Sequence, residues 1–126
     1  MEESDFRKNI AIAGLGLIGG SFAMALRQLG AGRIFGIDTD KEVLKKAADR
    51  RVIDGGFSDA KEILGRSDMV IIALYPKDAI EFIKNNSRYF KPGALITDTC
   101  GIKQPIIDAA KRNLPEKKIQ IYGNDF

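Results

Sequence analysis

The sequence predicts an α/β fold, a doubly wound parallel sheet with helices on both faces. Two observations lead to this prediction. Short apolar runs alternate with amphipathic stretches along the chain, the pattern of strands joined by crossover helices. Residues 68–74 are almost continuously apolar, as expected of a strand buried on both faces of a parallel sheet. With 126 residues, the chain has the length of one domain, and we expect a single domain over residues 1–126.

The first half of the chain predicts three strands, each followed by a helix. The strands are expected at residues 9–13, 33–37 and 52–57, the last of them short and at an edge. Asp40 is placed to cap the second helix, and residues 59–64 predict a short third one. The first helix is predicted from apolar residues that recur at helical spacing, namely Ile18, Phe22, Ala25, Leu26 and Leu29.

The second half continues the alternation. Strands are expected at residues 68–74, 94–97 and 119–122. Pro76 and Pro105 each stand where a first-turn proline opens a helix. Six parallel strands therefore alternate with helices along the whole predicted fold.

The composition excludes several function classes. The chain has no histidine, so no Ser-His-Asp triad or histidine-based zinc site is available, and we expect no metal. Its one cysteine, Cys100, cannot form an internal disulfide and fits a reducing cytoplasm, which is the location we expect. The net charge of +3 is spread along the chain, and the longest apolar run is far too short to cross a bilayer. We therefore expect neither a nucleic-acid nor a membrane partner.

Three glycines between the first strand and the first helix form a GxGxxG motif at Gly14, Gly16 and Gly19. The motif alone is weak evidence, but a strand before it and a helix after it are the context that a dinucleotide requires. Gly14 would allow the tight turn, Gly16 the close approach of a pyrophosphate, and Gly19 the close packing of helix on strand. The phosphates would lie at the N-terminus of the helix, where N–H groups and the positive end of the dipole point outward.

Asp38 ends the second strand, nineteen residues after Gly19. A carboxylate there can accept hydrogen bonds from the adenosine ribose and would repel a 2′-phosphate, which favours NAD over NADP. Arg33, Lys41 and Arg50 are available counter-charges and keep NADP open. The alternative is that Asp38, like Asp40, only caps a turn or a helix.

Further candidates lie where the fourth and fifth strands end, because ligands bind at the carboxyl ends of the strands in open α/β sheets. Tyr75 would stack on a ligand or donate a hydrogen bond to it, or else pack one face and keep its hydroxyl in water. Thr99 would reach the ligand or cap a turn, and Cys100 is either an activated thiol or a small structural residue. Lys103 would hold an anionic group or remain solvated. The set expected near the nicotinamide is Leu74, Tyr75, Pro76, Thr99, Cys100 and Gly101.

Several segments together resemble the N-terminal domain of prephenate dehydrogenases. They are residues 14–23 (GLGLIGGSFA), Asp38, residues 73–76 (ALYP) and residues 98–103 (DTCGIK), the last similar to the family's Asp-x-x-Ser-x-Lys segment. The resemblance implies a Rossmann-type dinucleotide-binding domain with NAD as cofactor. It implies a pyrophosphate site at Gly14, Gly16, Ile18 and Gly19, with Leu17 in the same loop. Asp38 would then bind the ribose, Leu74, Tyr75 and Pro76 would border the nicotinamide ribose, and Thr99, Cys100 and Gly101 would lie near the reacting ring.

The resemblance also implies an activity. The family removes a hydride from the hydroxyl-bearing ring carbon of prephenate or arogenate and passes it to NAD or NADP, and carbon dioxide leaves on the route to tyrosine. The 126 residues depart from the family pattern in three ways: the family's hydroxyl-activating histidine has no counterpart among them, the serine of the Asp-x-x-Ser-x-Lys pattern falls on Gly101, and we expect none of them to belong to the family's helical C-terminal domain. We therefore expect the chain alone to be inactive, with only Thr99 and Lys103 as weak catalytic candidates.

Expected partners are the cofactor, a small anionic substrate in the full-length enzyme, and a second copy in a homodimer, since a cofactor domain without its partner should expose apolar surface. Two other functions stay open. One is the cofactor domain of another hydroxyacid or imine reductase. The other is an NAD-binding or NAD-sensing module without catalysis.

Overall fold

The described residues form a parallel sheet of six strands. The computed structural model describes residues 8–98, 104–113 and 120–122. The strands are β1 (Asn9–Ala13), β2 (Arg33–Ile37), β3 (Gly55–Phe57), β4 (Met69–Ile72), β5 (Leu95–Asp98) and β6 (Gln120–Tyr122). Their spatial order is β3-β2-β1-β4-β5-β6, and every pairing is parallel. The order reverses between β1 and β4, which makes this pair the switch point of a doubly wound sheet.

In the described part of the chain, five helices connect the strands. They are α1 (Leu17–Gln28), α2 (Lys41–Asp49), α3 (Lys61–Leu64), α4 (Pro76–Asn86) and α5 (Gln104–Asn113), and a short 3₁₀ turn at Ser87–Tyr89 follows α4. Asp40 caps α2 as predicted, because its Oδ1 accepts hydrogen bonds from the backbone N–H groups of Glu42 and Val43 at 3.0 and 3.4 Å. Pro76 opens α4, which also confirms the prediction.

The sheet separates two apolar layers, and both are built from alternate residues of the same strands. One layer carries α1 and α2 and includes Ile12, Ile34 and Ile71. The other carries α3 to α5 and includes Val70 and Ile96. The predicted doubly wound α/β fold is confirmed.

The boundaries differ from the predictions by a few residues. The edge strand starts at Gly55 rather than 52, and the short helix starts at Lys61 rather than 59, because Asp59 precedes it and its Oδ1 accepts from the N–H of Lys61 at 3.1 Å. The fourth strand ends at Ile72, two residues early. No helix in the described part of the chain is long and apolar enough to span a membrane.

Helix α1 packs on the sheet chiefly through small residues and Leu26, while its other large apolar side chains are exposed. Gly19 and Ala23 are its buried residues. Of the residues whose spacing predicted the helix, Ile18 and Leu29 are 53% and 67% exposed, and Phe22 is 39% exposed. The spacing therefore predicted the helix, but most of the large residues that it picked out point outward. This agrees with the expected exposure of apolar surface, and the homodimer remains a prediction.

Candidate functional site

The turn between β1 and α1 is fixed by contacts with β2 and with the end of β4. Gly14 has φ +93°, and a Cβ at this position would lie 2.6 Å from the carbonyl oxygen of Ala73. Its N–H donates to the carbonyl oxygen of Ile37 at 2.8 Å. Only glycine combines this backbone conformation with so close a neighbour, so the first glycine of the motif makes the turn as predicted.

Gly16 and Gly19 have different surroundings. A Cβ on Gly19 would lie 1.9 Å from the carbonyl oxygen of Gly14, so this glycine brings α1 against the turn. A Cβ on Gly16 would meet no heavy atom of the described residues within 4 Å. Gly16 is the N-cap of α1 and offers no side chain to the first-turn N–H groups, which lack intrahelical acceptors. The open space at Gly16 therefore lies beside N–H groups suited to an anion.

The Asp38 carboxylate lies at the end of β2 and binds the glycine-rich loop. Its Oδ2 accepts a hydrogen bond from the N–H of Leu15 at 3.0 Å, and its Oδ1 accepts one from the N–H of Asp40 at 2.9 Å. Each carboxylate oxygen has a second lone pair, so the group retains acceptor capacity for a ligand hydroxyl. Asp38 thus has the turn-capping role that was the alternative to ribose binding. It can still accept a hydrogen bond from a ligand.

A cavity of about 450 Å³ opens beside Asp38 at the carboxyl edge of the sheet. Its lining comes from the residues that follow β1, β2, β3 and β4 and from one side of α4. The lining residues are Ala13, Gly14, Ile37, Asp38, Thr39, Ser58, Asp59, Ala60, Leu74, Phe82 and Asn86. This is the crevice outside the strand ends where open α/β sheets bind their ligands.

The structure brings part of the predicted site together. Gly14, Asp38 and Leu74 line the cavity. The loop residues Gly16, Leu17 and Ile18 lie exposed at the start of α1, and Gly19 is buried behind them. Tyr75 and Pro76 start α4 in exposed positions. The tyrosine is 82% exposed, so its ring is not packed against the protein as one alternative supposed.

The predictions for Thr99, Cys100, Gly101 and Lys103 fall outside the described residues. They remain predictions, as does the place of these residues near a nicotinamide. Strand β5 itself ends at Asp98, directly before them.

Sequence reasoning missed the far wall of the cavity. Ser58 and Asp59 follow β3, so the rule that pointed to the ends of β4 and β5 would also have found them. Phe82 and Asn86 lie four residues apart on α4, and their place in the wall depends on how α4 packs. Within the described residues, no group of three or more potential metal ligands occurs.

The fold and the site together define a dinucleotide-binding domain. Four features carry this assignment: the strand order, the glycine-rich turn, the open N-terminus of α1 and the carboxylate at the end of β2.

Comparison with known proteins narrows the class. Residues 22–124 match the family described as prephenate dehydrogenase, nucleotide-binding domain. The prephenate dehydrogenase of Bacillus subtilis is 32% identical over 116 residues, which are 90% of this chain and 31% of that protein. The chain therefore belongs to the nucleotide-binding domain family of prephenate dehydrogenase.

Solved structures agree. The crystal structure of prephenate dehydrogenase from Aquifex aeolicus, in complex with hydroxyphenyl propionate and NAD+, superposes with a TM-score of 0.78 at 30% identity and covers 89% of this chain and 40% of that one. Arogenate dehydrogenase from Synechocystis gives a TM-score of 0.75 at 25% identity over 82% of this chain and 37% of that one. The chain spans about a third of the length of the curated relatives that it matches.

Proposed function

We propose that this chain is the NAD-binding part of a prephenate or arogenate dehydrogenase, an oxidoreductase of tyrosine biosynthesis. Support comes from the family membership and from the relative in complex with NAD+. The observation on which the proposal rests most is the Asp38 carboxylate, tied to the glycine-rich loop beside a cavity at the carboxyl edge of the sheet.

The residues present fit NAD. The space at Gly16 lies at the N-terminus of α1, whose first turn, residues 17–20, reads Leu-Ile-Gly-Gly and carries no acidic side chain. A pyrophosphate is the anion that such a helix end receives. The cavity that Gly14 and Asp38 line has an acceptor in Asp38 for ribose hydroxyls, and its walls include the apolar side chains of Leu74 and Phe82. Leu17, Ile18, Tyr75 and Pro76 would border the bound cofactor from outside the cavity.

Asp38 also supports NAD over NADP. An NADP 2′-phosphate would meet its negative charge, and the two hydrogen bonds from backbone N–H groups hold the carboxylate where it is. NADP remains the less favoured cofactor.

Bound NAD would supply the hydride acceptor, and the chain's own residues would hold and orient it. Prephenate loses a hydride and then carbon dioxide in the family reaction, and the group that takes the hydroxyl proton is a histidine. Since this chain contains no histidine, we propose that the 126 residues alone do not oxidise prephenate. Thr99 and Lys103 remain the weak candidates, and the helical part of the family supplies the rest of the substrate site. We also propose a cytoplasmic location, which the single cysteine supports.

A different reductase and a catalytically silent NAD sensor remain the other candidates. The structure of 3-hydroxyisobutyrate dehydrogenase from Mycobacterium tuberculosis superposes with a TM-score of 0.77 at 20% identity, a likeness of fold alone. Prephenate-dependent reduction of NAD by the 126 residues would contradict the proposal that they do not oxidise prephenate alone.

Titration of NADH and NADPH by fluorescence tests the cofactor proposal. Wild type should bind NADH more tightly than NADPH, and Asp38→Asn should weaken NADH by about ten- to a hundredfold, the range for a lost charge-assisted hydrogen bond. The amide also places a donor beside the N–H of Leu15 or Asp40, and this affects the binding of both cofactors. The decisive quantity is therefore the ratio of NADH affinity to NADPH affinity, which should fall.

Asp40→Asn is the matched control. Asp40 is an exposed carboxylate two residues further on, and asparagine caps a helix as well as aspartate does. The variant should keep both affinities. An unchanged ratio in Asp38→Asn, or no binding by wild type, would contradict the proposal.

A further inference from the structure

Leu15 is a buried residue in a loop whose next three residues are exposed. Its side chain is 6% exposed and belongs to the apolar layer under α1 and α2. Gly16, Leu17 and Ile18 follow it at the surface, and Leu17 is 89% exposed. The loop proposed to receive the pyrophosphate thus has an apolar anchor of its own.

The space for the Leu15 side chain exists because residue 36 on β2 is a glycine. A Cβ on Gly36 would lie 2.2 Å from Cδ1 of Leu15 and 3.1 Å from its Cγ. It would also lie 3.2 Å from Cδ1 of Ile53. The Leu15 side chain therefore occupies the position of a residue-36 side chain, and even a methyl group there would displace it.

The backbone of Leu15 is held by the residue that directly follows the same strand. Its N–H donates to Oδ2 of Asp38 at 3.0 Å, and Asp38 lies two residues beyond Gly36. A displacement of the Leu15 side chain would therefore move one of the two N–H groups that orient the Asp38 carboxylate. Gly36, Leu15 and Asp38 thus form one connected unit, from the core to the edge of the cavity.

We propose that Leu15 is a positioning residue for the dinucleotide. Its side chain, in the space left by Gly36, holds the loop N–H groups for the pyrophosphate and the Asp38 carboxylate for the ribose. This inference rests on the proposed function. Binding to a loop already in this arrangement needs no ordering of the loop, so affinity depends on the anchor.

Gly36→Ala tests the anchor, with NADH and NADPH titrations of the folded variant. The NADH dissociation constant should rise about tenfold, as expected for residues coupled through a shared contact. The preference for NADH over NADPH should also narrow, because Asp38 loses its fixed orientation. A residue that only stabilises the fold would not change this preference.

Gly56→Ala is the matched control. Gly56 is the register partner of Gly36 on β3, and its Cβ would lie 3.0 Å from Cβ of Leu44 on α2, away from the loop. It should lower the melting temperature and leave the NADH affinity unchanged. The double variant Gly36→Ala/Leu15→Ala should lose less NADH affinity than the two single losses added together, because both substitutions act on the same contact.

A second pair avoids the steric clash. Leu15→Ala should weaken NADH, whereas Leu44→Ala removes a similarly buried leucine from the same layer and should not. Wild-type affinity in Leu15→Ala, or equal losses in the two leucine variants, would overturn the inference. Failure of wild type to bind NADH would instead overturn the proposed function.

Discussion

Gly16 and Gly19 stand three residues apart at the start of α1 but limit substitution for different reasons. The first has open space where a side chain would go, and the second has a backbone oxygen there, at 1.9 Å. A side chain on Gly16 would therefore compete with a ligand, whereas one on Gly19 would compete with the protein itself. The two positions separate binding from folding.

We expect Gly16→Ala to weaken NADH binding strongly while lowering the free energy of unfolding by under about 1 kcal/mol, since alanine is only a poorer N-cap than glycine. Gly19→Ala should destabilise the fold by about 3 kcal/mol or more, the upper range for overpacking. Urea denaturation and NADH titration of both variants measure the two quantities. Equal losses of stability would contradict this account of the loop.

Single residues of the site were predictable where a rule ties residue type to position. Gly14, Gly16, Gly19 and Asp38 were predicted from their spacing together with the strand before and the helix after the motif, and the structure confirms the tight turn at Gly14 and the close packing at Gly19, while the phosphate and ribose contacts remain predictions. Leu15 was not predictable, because its burial depends on the absence of a side chain at Gly36 on another strand. Nothing in the sequence around a loop leucine indicates that a glycine on another strand leaves space for its side chain.

At the scale of elements, α1 and α2 end in the same way but with different residues. In each, the chain leaves through a residue of positive φ, Gly30 at +79° after α1 and Arg51 at +57° after α2. The next N–H then returns to the helix, from Ala31 to the carbonyl oxygen of Leu26 and from Val52 to that of Ala47. This is the Schellman arrangement, in which glycine is the preferred residue.

Arg51→Gly should therefore raise stability by about 1 kcal/mol, since the left-handed conformation costs other residues roughly 1–2 kcal/mol and glycine adds some entropy to the unfolded chain. That gain corresponds to a melting temperature about 4 °C higher. Gly30→Ala should lower stability by a similar amount, because its Cβ meets no described atom within 4 Å and only the backbone conformation is penalised. Thermal denaturation measures both, and a lower melting temperature in Arg51→Gly would contradict the prediction.

The elements were predictable to the extent that each has its own signal. Buried strands, the Asp40 cap and Pro76 all have local causes, and the structure confirms them. The orientation of α1 has no such cause: its apolar spacing predicted a helix, but Gly19 and Ala23 are its buried residues and the larger side chains other than Leu26 are exposed. Which face is buried was decided by how near the sheet allows the helix to come.

At the scale of the whole molecule, the carboxyl edge of the sheet, where the strands end, differs in function from the amino edge, where they begin. The carboxyl edge holds the cavity, and the amino edge is stabilised by two carboxylates. Burial raises the pKa of Asp54, but hydrogen bonds from the Ile34 N–H and the Arg27 guanidinium lower it by more than burial raises it. The pKa of Asp54 therefore lies below its usual value. Burial likewise raises the pKa of Asp68, and its hydrogen bonds from Lys91 and from the N–H of Asn9 bring the pKa below the usual value.

These carboxylates predict a loss of stability in acid. Their pKa is lower in the folded chain than in the unfolded one, so their stabilising effect is complete above the unfolded value of 3.8 and is lost as the pH falls through the folded value. Urea denaturation from pH 6 to pH 2 should show a smaller drop in Asp68→Asn than in wild type. Lys91→Met should reduce the drop similarly, because it removes the cation that lowers the pKa of Asp68. Superimposable profiles of wild type and Asp68→Asn would contradict this assignment.

The central claim is that NAD lies across the carboxyl edge of the sheet, on the glycine-rich loop and Asp38. Titration of the ¹⁵N-labelled chain with NAD+, followed by ¹H–¹⁵N correlation spectra, tests it most directly, because each N–H reports its own surroundings. We predict that the largest shifts fall on residues 14–20 and 38–40, and that the amino edge around Asn9 and Asp68 stays unchanged. Shifts concentrated at the amino edge, or none at saturating NAD+, would contradict the claim.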